Sequence, residues 1–258
     1  MGVSRELTYQ RYESGRLASV TAPVAAEALV RLHVNGRELA MLMCSPYQLD
    51  WLALGFLRSE GFIDGPADVR RIVICPSNAC VEVWLRRADF EPPTQRVITS
   101  GCGGGITFAD LTAEAQPLAS DVVVSPQQLG RLMFAMQQTQ RTRGVHTAAL
   151  AEVGGGEERL LAVVEDVGRH NAIDKLWGCC LSQGIETRDR IVLSTGRISS
   201  EMLNKVARMG APVAVTRTSP TTLSVALAQA WNVTLVGYTR RDSLNVYSGE
   251  ARVLVELE

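Results

Sequence analysis

The spacing of apolar residues divides the chain into a strand-rich start and a later stretch in which strands alternate with helices. Ala28 to Val34 alternates, with Ala28, Leu32 and Val34 among its apolar positions, and Asn35-Gly36 marks a hairpin turn into Glu38–Met43. Ser45-Pro46 then reads as an N-cap with proline at the first helical position. Behind it Leu49, Leu52, Ala53, Phe56 and Leu57 fall on one helical face, which Gly61 ends. Further strands are predicted at Arg71–Cys75, Val81–Leu85 and Arg96–Thr99, so residues 1–100 read as a small α+β domain.

The next stretch changes character. Four glycines lie between Ser100 and Gly105, too much backbone freedom for regular structure, and the weak pattern that follows makes residues 101–124 a loop and linker. Ser125-Pro126 repeats the cap signature ahead of Leu129, Leu132, Met133 and Met136, a second amphipathic helix. From Gly144 onward the pattern predicts strands at His146–Val153, Leu160–Glu165, Arg190–Ser194, Val213–Thr216 and Val233–Gly237, with a last pair near Asn245–Tyr247 and Arg252–Leu257. Helical stripes fall between them: Ile173, Leu176, Trp177, Cys180 and Leu181; then Met202, Val206 and Met209; then Leu223, Ala226, Leu227, Ala230 and Trp231 behind a Ser219-Pro220 cap. Residues 125–258 therefore read as an α/β domain with helices on the faces of a largely parallel sheet.

Charge and composition narrow the function. With 26 basic and 27 acidic residues the net charge is -1, which argues against bulk nucleic-acid binding or attachment to an anionic membrane. No apolar run approaches the roughly 18 residues of a membrane span, and Met1 to Arg16 has no apolar core of a signal peptide, so a cytosolic location is expected. In that compartment Cys44, Cys75, Cys80, Cys102, Cys179 and Cys180 read as buried thiols, metal ligands or catalytic groups rather than a disulfide framework. Cys179 and Cys180 sit at or beside an apolar stripe and read as structural. No Cys-x-x-Cys occurs and His33, His146 and His170 are scattered, so no zinc site is expected. Only Lys175 and Lys205 are lysine; either they mark sites where a compact ammonium fits and a guanidinium does not, or they survive by chance on a solvated face.

Candidate chemistry gathers in four places. Cys102 lies in a glycine-rich loop whose backbone N–H groups can favour a thiolate; the bland alternative is an incidental cysteine in a flexible linker. Glu165 to Lys175 packs Arg169, His170 and Lys175 with carboxylates and an asparagine just past a predicted strand, where open α/β sheets bind ligands. Ser194 to Glu201 has the same setting, and Gly196 with neighbouring hydroxyls suits a phosphate, Arg197 and Lys205 supplying charge. Ser219, Thr221 and Thr222 repeat that chemistry at the next strand end. Tyr238, Thr239, Arg240, Arg241, Asp242 and Ser243 offer an aromatic face and two guanidinium groups, suited to a guanine-type base with phosphates or to an exposed charged turn.

The stretches SGCGGG, EDVGRHNAIDK, LSTGRISSEMLNK and TSPTTLSVALAQAWNVTLVGY resemble those of the formate dehydrogenase accessory sulfurtransferases, the FdhD family, and CSPYQLDWLALGFLRSEGFID resembles that family's N-terminal helix region. The resemblance runs in order over nearly the whole chain. It implies a smaller N-terminal α+β domain and a larger cytidine-deaminase-like α/β/α domain of three layers, in a homodimer. It also implies sulfur transfer from a cysteine desulfurase to the molybdenum bis-molybdopterin guanine dinucleotide cofactor of formate dehydrogenase. A guanine nucleotide such as GDP would be a partial mimic of that cargo. The persulfide-carrying cysteine maps onto Cys102 and the cofactor-binding segment onto Tyr238 to Ser243. Many members carry a second cysteine three positions after the first, where this chain has Gly105. That departure leaves room for a cofactor-binding chaperone without sulfur chemistry. A zinc deaminase, suggested by fold analogy alone, lacks its paired sequence elements: Ala79-Cys80-Val81-Glu82 has no Pro-Cys-x-x-Cys partner.

Overall fold

The computed structural model describes residues 3–93, 117–140, 142–154 and 157–255, together with the backbone of the short strands Val97–Ile98 and Ile106–Thr107. The chain opens on a hairpin of two ten-residue strands, β1 (Ser4–Glu13) and β2 (Arg16–Ala25), turned by Ser14 and Gly15 at positive φ. Sequence pattern did not reveal this ribbon, because its residues stay largely exposed on both faces and no buried stripe separates them.

A four-stranded sheet follows, in the order β4-β3-β6-β5, from β3 (Ala28–Val34), β4 (Arg37–Cys44), β5 (Val69–Ile74) and β6 (Cys80–Leu85). One face buries Val30, Leu32, Leu42, Val81 and Val83 against helix α1 (Leu49–Ser59). The Asn35-Gly36 turn is present with both residues at positive φ. Two expectations need correction here. Helix α1 starts behind Gln48, not at Ser45-Pro46, because Ser45 spends its backbone and hydroxyl on distant partners described below. Cys75 and Cys80 are joined in a disulfide, with Cα atoms 5.4 Å apart across the β5–β6 hairpin, where buried thiols, metal ligands or catalytic groups were expected.

The strands β7 (Val97–Ile98) and β8 (Ile106–Thr107) pair antiparallel. Cys102 and Gly105, between them in sequence, lie outside the described residues. Helix α2 (Pro126–Thr139) has the expected cap: Ser125 Oγ accepts from Gln128 N–H, and Gln128 reaches back to Ser125 N–H.

The remaining elements build a six-stranded sheet in the order β10-β9-β11-β12-β13-β14. Its strands are β9 (His146–Gly154), β10 (Glu157–Asp166), β11 (Ile191–Ser194), β12 (Val213–Thr216), β13 (Thr234–Gly237) and β14 (Asn245–Ser248). Helices α3 (Arg169–Gln183), α4 (Ser200–Arg208) and α5 (Thr222–Ala230) cover one face and α2 the other. The sheet is mixed rather than largely parallel: β11, β12 and β13 run parallel, whereas β9, β10 and β14 pair antiparallel. The short connection from Gly154 to Glu157 makes β9 and β10 an antiparallel hairpin, since it cannot cross over to a parallel neighbour. The strand expected at Arg252–Leu257 is instead a 3-10 turn at Glu250–Arg252 and a single bridge from Val253 to Val124 among the described residues.

The two sheets are joined through α1 and α3, which cross at glycines. A Cβ on Gly55 would lie 1.8 Å from Asp174 O, and one on Gly178 would lie 1.9 Å from Trp51 O. Backbone rests on backbone at this crossing, and no larger residue fits without parting the helices.

Candidate functional site

Strand direction decides which residues meet. The parallel strands β11, β12 and β13 release their loops at one edge of the sheet, and the antiparallel β9 and β10 bring His146 and Asp166 to that same edge. Residues 195–199, 217–221 and 238–244 thus form a continuous rim. Hydrogen bonds lock it. Thr195 N donates to Thr147 O at 3.0 Å, Thr216 Oγ1 to Gly196 O at 2.6 Å and Ile198 N to Ser219 O at 3.2 Å. Tyr238 N donates to Thr218 O at 2.7 Å, and the Arg240 guanidinium to Arg217 O at 2.6 Å. The helices behind the rim are capped by Ser199, which accepts from Met202 N–H, and by Thr221, which accepts from Ser224 N–H. Thr221 is therefore the cap expected of Ser219, whose carbonyl is used by Ile198.

The structure divides the Tyr238 to Ser243 segment between two hollows. One, of 510 Å³, is lined by Ser219, Thr221, Val225, Gln229, Tyr238 and Tyr247. Tyr238 is held at positive φ, is 48% exposed, and shares this hollow with Tyr247. The other, of 460 Å³, is lined by Pro126, Gln127, Arg241, Asp242, Ser243 and Leu244. Arg241 there stacks over Phe134, 5.3 Å from the ring centre. Thr239 is fully buried between them, and its hydroxyl has no hydrogen-bond partner among the described residues.

The basic character of the rim is distributed. Arg197 and Arg240 are exposed, and Arg169 and Arg217 are half-buried. Burial, and then the charge of Arg240, lower the Arg217 pKa. His146, which looked isolated in the sequence, belongs here. A Cβ on Gly196 would stand 2.7 Å from Arg169 Cβ and 3.2 Å from His146 Nδ1, so three separate elements meet at this point. Burial, then Arg169, push the His146 pKa down. Its signal in the sequence was its place as the first residue of a strand that begins on the loop-bearing edge.

Lys175, His170 and Lys205 sit behind the rim rather than on it, whereas the sequence suggested ligand-binding positions for Lys175 and His170 and a charge beside a phosphate for Lys205. Lys175 is 0% exposed, with Nζ 2.7 Å from Asp166 Oδ2, 3.1 Å from Ser45 O and 4.4 Å from the Tyr47 ring centre. An ammonium so enclosed has no face left for a ligand. Asp166 also accepts from the backbone N–H groups of Ser45 and Gly168 and from Asn171 Nδ2, while Val167 N–H donates to Ser45 Oγ. The dense polar run after β10 is thus a seam that fastens the Ser45–Tyr47 segment to α3.

A second ion pair extends the seam. Lys205 Nζ lies 2.6 Å from Asp174 Oδ2, and Ser59 Oγ donates to Asp174 Oδ1 at 2.8 Å, so Asp174 ties α1, α3 and α4 together. Burial pushes the Asp174 carboxyl up to about 6 against the pull of Lys205. Burial lowers the Lys205 pKa, but Asp174, Glu201 and Glu60 together outweigh it and leave it raised. Both lysines therefore occupy buried sites that suit a compact ammonium, not a solvated face. His170 Nε2 lies 3.3 Å from Glu201 Oε2 and 3.4 Å from Ser199 Oγ. Burial, then Lys205 and Arg169, push its pKa down to about 3, so this contact is made by a neutral imidazole.

The remaining described thiols are inert by environment. Burial pushes Cys44 and Cys180 up to about 12 and raises Cys179 as well, in keeping with a structural role for Cys179 and Cys180.

Fold and rim together define a mixed α/β protein with a polar, loop-built crevice at the carboxyl ends of its parallel strands, where open α/β sheets receive ligands. The family model described as the FdhD/NarQ family matches residues 25–254. The chain belongs to the FdhD/NarQ family. It is 37% identical over 252 residues to the Sulfur carrier protein FdhD of Bacillus subtilis (strain 168), covering 94% of this chain and 95% of that one. It is 36% identical over 253 residues to the protein of the same name from Staphylococcus aureus (strain MRSA252), covering 95% and 94%. The crystal structure of a putative formate dehydrogenase accessory protein from Desulfotalea psychrophila superposes with a TM-score of 0.80 at 29% identity, over 98% of this chain and all of that one.

Proposed function

We propose that this protein is a sulfurtransferase that carries sulfur for the maturation of formate dehydrogenase. Cys102 takes persulfide sulfur from a cysteine desulfurase and passes it to the molybdenum bis-molybdopterin guanine dinucleotide cofactor, held as cargo at the rim. The full-length likeness to proteins named sulfur carriers carries this reading. The rim supports the cargo side of it. Tyr238 and Tyr247 offer faces for a guanine base, and Arg197, Arg217, Arg240 and Arg241 offer guanidinium groups for the diphosphates. The buried, unpartnered Thr239 hydroxyl is a polar atom that a ligand group or water would satisfy.

Loading balances simply. The Cys102 thiolate attacks the outer sulfur of the donor persulfide, the donor S–S bond breaks, and the donor leaves as its thiolate. Transfer onward then proceeds from a single carrier sulfur, since Gly105 stands where many members have the second cysteine. In this reading the protein works in the cytosol as a homodimer, with formate dehydrogenase as the acceptor. Gly105 also favours one competing reading, a cofactor-holding chaperone without sulfur chemistry. Maturation of formate dehydrogenase with Cys102→Ala in place of wild type separates the two. The carrier reading requires loss of active enzyme, whereas a chaperone would still support maturation.

A further inference from the structure

Every described cysteine that is a free thiol, Cys44, Cys179 and Cys180, is buried. The disulfide-bonded Cys75 and Cys80 are instead half-exposed, flanking the turn that connects β5 to β6. Cys80 lies on the outer face of the four-stranded sheet, since its neighbour Val81 faces the core, and Arg31 is its register partner on β3. The backbone stays paired around the bond: Cys75 N donates to Cys80 O at 3.0 Å and Asn78 N to Cys75 O at 2.9 Å, Asn78 standing at positive φ.

A purely structural bond is poorly placed here. It spans five positions in sequence, and a crosslink that closes so short a loop removes less freedom from the unfolded chain than one that closes a long loop. The hairpin is already held by its ladder and by Val81, Val83 and Leu85 packed against α1. An accessible bond between preorganised partners has the features of a reversible couple.

We propose that Cys75 and Cys80 form a redox-active dithiol–disulfide couple, whose reduced form strips sulfane sulfur from thiol persulfides and releases it as sulfide. One thiolate attacks the inner sulfur of R–S–SH, forming a mixed disulfide with R and expelling hydrosulfide. The second thiolate then attacks its partner's sulfur in that mixed disulfide and expels R–S⁻. The two cysteines are oxidised to the disulfide, the persulfide is reduced, and the products are R–SH and hydrogen sulfide. A cellular dithiol reductant of the thioredoxin class returns the couple to its reduced form. The inference rests on the sulfur-carrier reading only for the cellular source of persulfide, and it gives this chain a second sulfur-handling site that does not depend on Cys102.

The test uses the full chain with Cys102→Ala as background, reduced with dithiothreitol, desalted, and exposed without oxygen to glutathione persulfide. The expected result is stoichiometric sulfide release, with loss of alkylation at Cys75 and Cys80 and appearance of their crosslinked peptide. Adding Cys75→Ser and Cys80→Ser abolishes the release. Should those substitutions impair folding, alkylating the reduced Cys102→Ala protein at both thiols before adding persulfide gives the same comparison. Equal sulfide with and without the two thiols, or thiols that remain alkylatable after persulfide treatment, overturns the proposal. If the couple reacts while wild-type Cys102 fails to load from a desulfurase, the carrier reading falls and this one stands.

Discussion

The Lys175 ammonium lies 2.7 Å from the Asp166 carboxylate, and neither side chain has any solvent exposure. The pair joins the end of β10 to α3 while its hydrogen bonds reach Ser45, so it couples the two sheets. Removing one charge leaves the other buried and unbalanced. Lys175→Met is expected to cost about 3–5 kcal/mol in urea unfolding, and the double variant Asp166→Asn/Lys175→Met is expected to recover part of that loss. Lys175→Arg keeps the charge but overfills the space beside Tyr47, at about 1–3 kcal/mol. A neutral outcome for Lys175→Arg would contradict the enclosed geometry.

Gly55→Ala and Gly178→Ala each drive a methyl group into the backbone of the opposing helix. Each is expected to cost ~3 kcal/mol or more, since α1 and α3 must separate and loosen the seam they carry. Thermal unfolding of both variants, with Gly65→Ala as a control where a Cβ meets nothing, checks this.

His170 makes stability fall on acidification. In the unfolded chain its imidazole protonates near 6.5, whereas in the folded protein burial holds it at about 3. Below about pH 6.5 the unfolded state takes up a proton that the folded state refuses, so this contribution erodes between about pH 6.5 and 3. The slope approaches about 1.4 kcal/mol per pH unit at most. His170→Gln, measured by urea unfolding across that window, is expected to show a flatter profile than wild type; an unchanged slope would contradict the buried neutral imidazole.

Rim arginines are expected to matter unequally from other arginines. Arg240→Ala and Arg241→Ala should weaken binding of GDP, each by about tenfold if one charge-assisted hydrogen bond is lost. Arg86→Ala and Arg87→Ala should leave it unchanged, because those side chains donate to Ala67 O and Phe62 O at the far hairpin. Calorimetric titration reads the difference. Equal losses in both pairs would move the nucleotide away from the rim.

Much of this architecture was legible because burial follows period. The α2 stripe, the α3 stripe from Ile173 to Cys180 and the short strands β11 to β13 bury the residues their spacing marked. What escaped had no burial signature. The β1–β2 ribbon is exposed on both faces, so alternation carried no message. Ser45-Pro46 looked like a helix cap because local chemistry cannot show that Asp166, 121 residues away, will claim its N–H. The polar run from Glu165 to Lys175 was conspicuous, but density alone does not distinguish a ligand wall from a seam. That depends on what packs above it, and here the Ser45–Tyr47 segment does. His146 was discounted for lack of a neighbouring ligand residue in sequence, whereas its neighbours, Arg169 and Gly196, come from other strand ends.

The central claim is that Cys102 carries sulfur, and the most direct measurement is the mass of that residue's peptide. Wild-type protein incubated with a cysteine desulfurase and isotopically labelled cysteine is alkylated, digested and analysed. The account predicts a peptide containing Cys102 heavier by one labelled sulfur atom, released by dithiothreitol and absent in Cys102→Ala. A desulfurase that turns over while Cys102 stays unlabelled would contradict it.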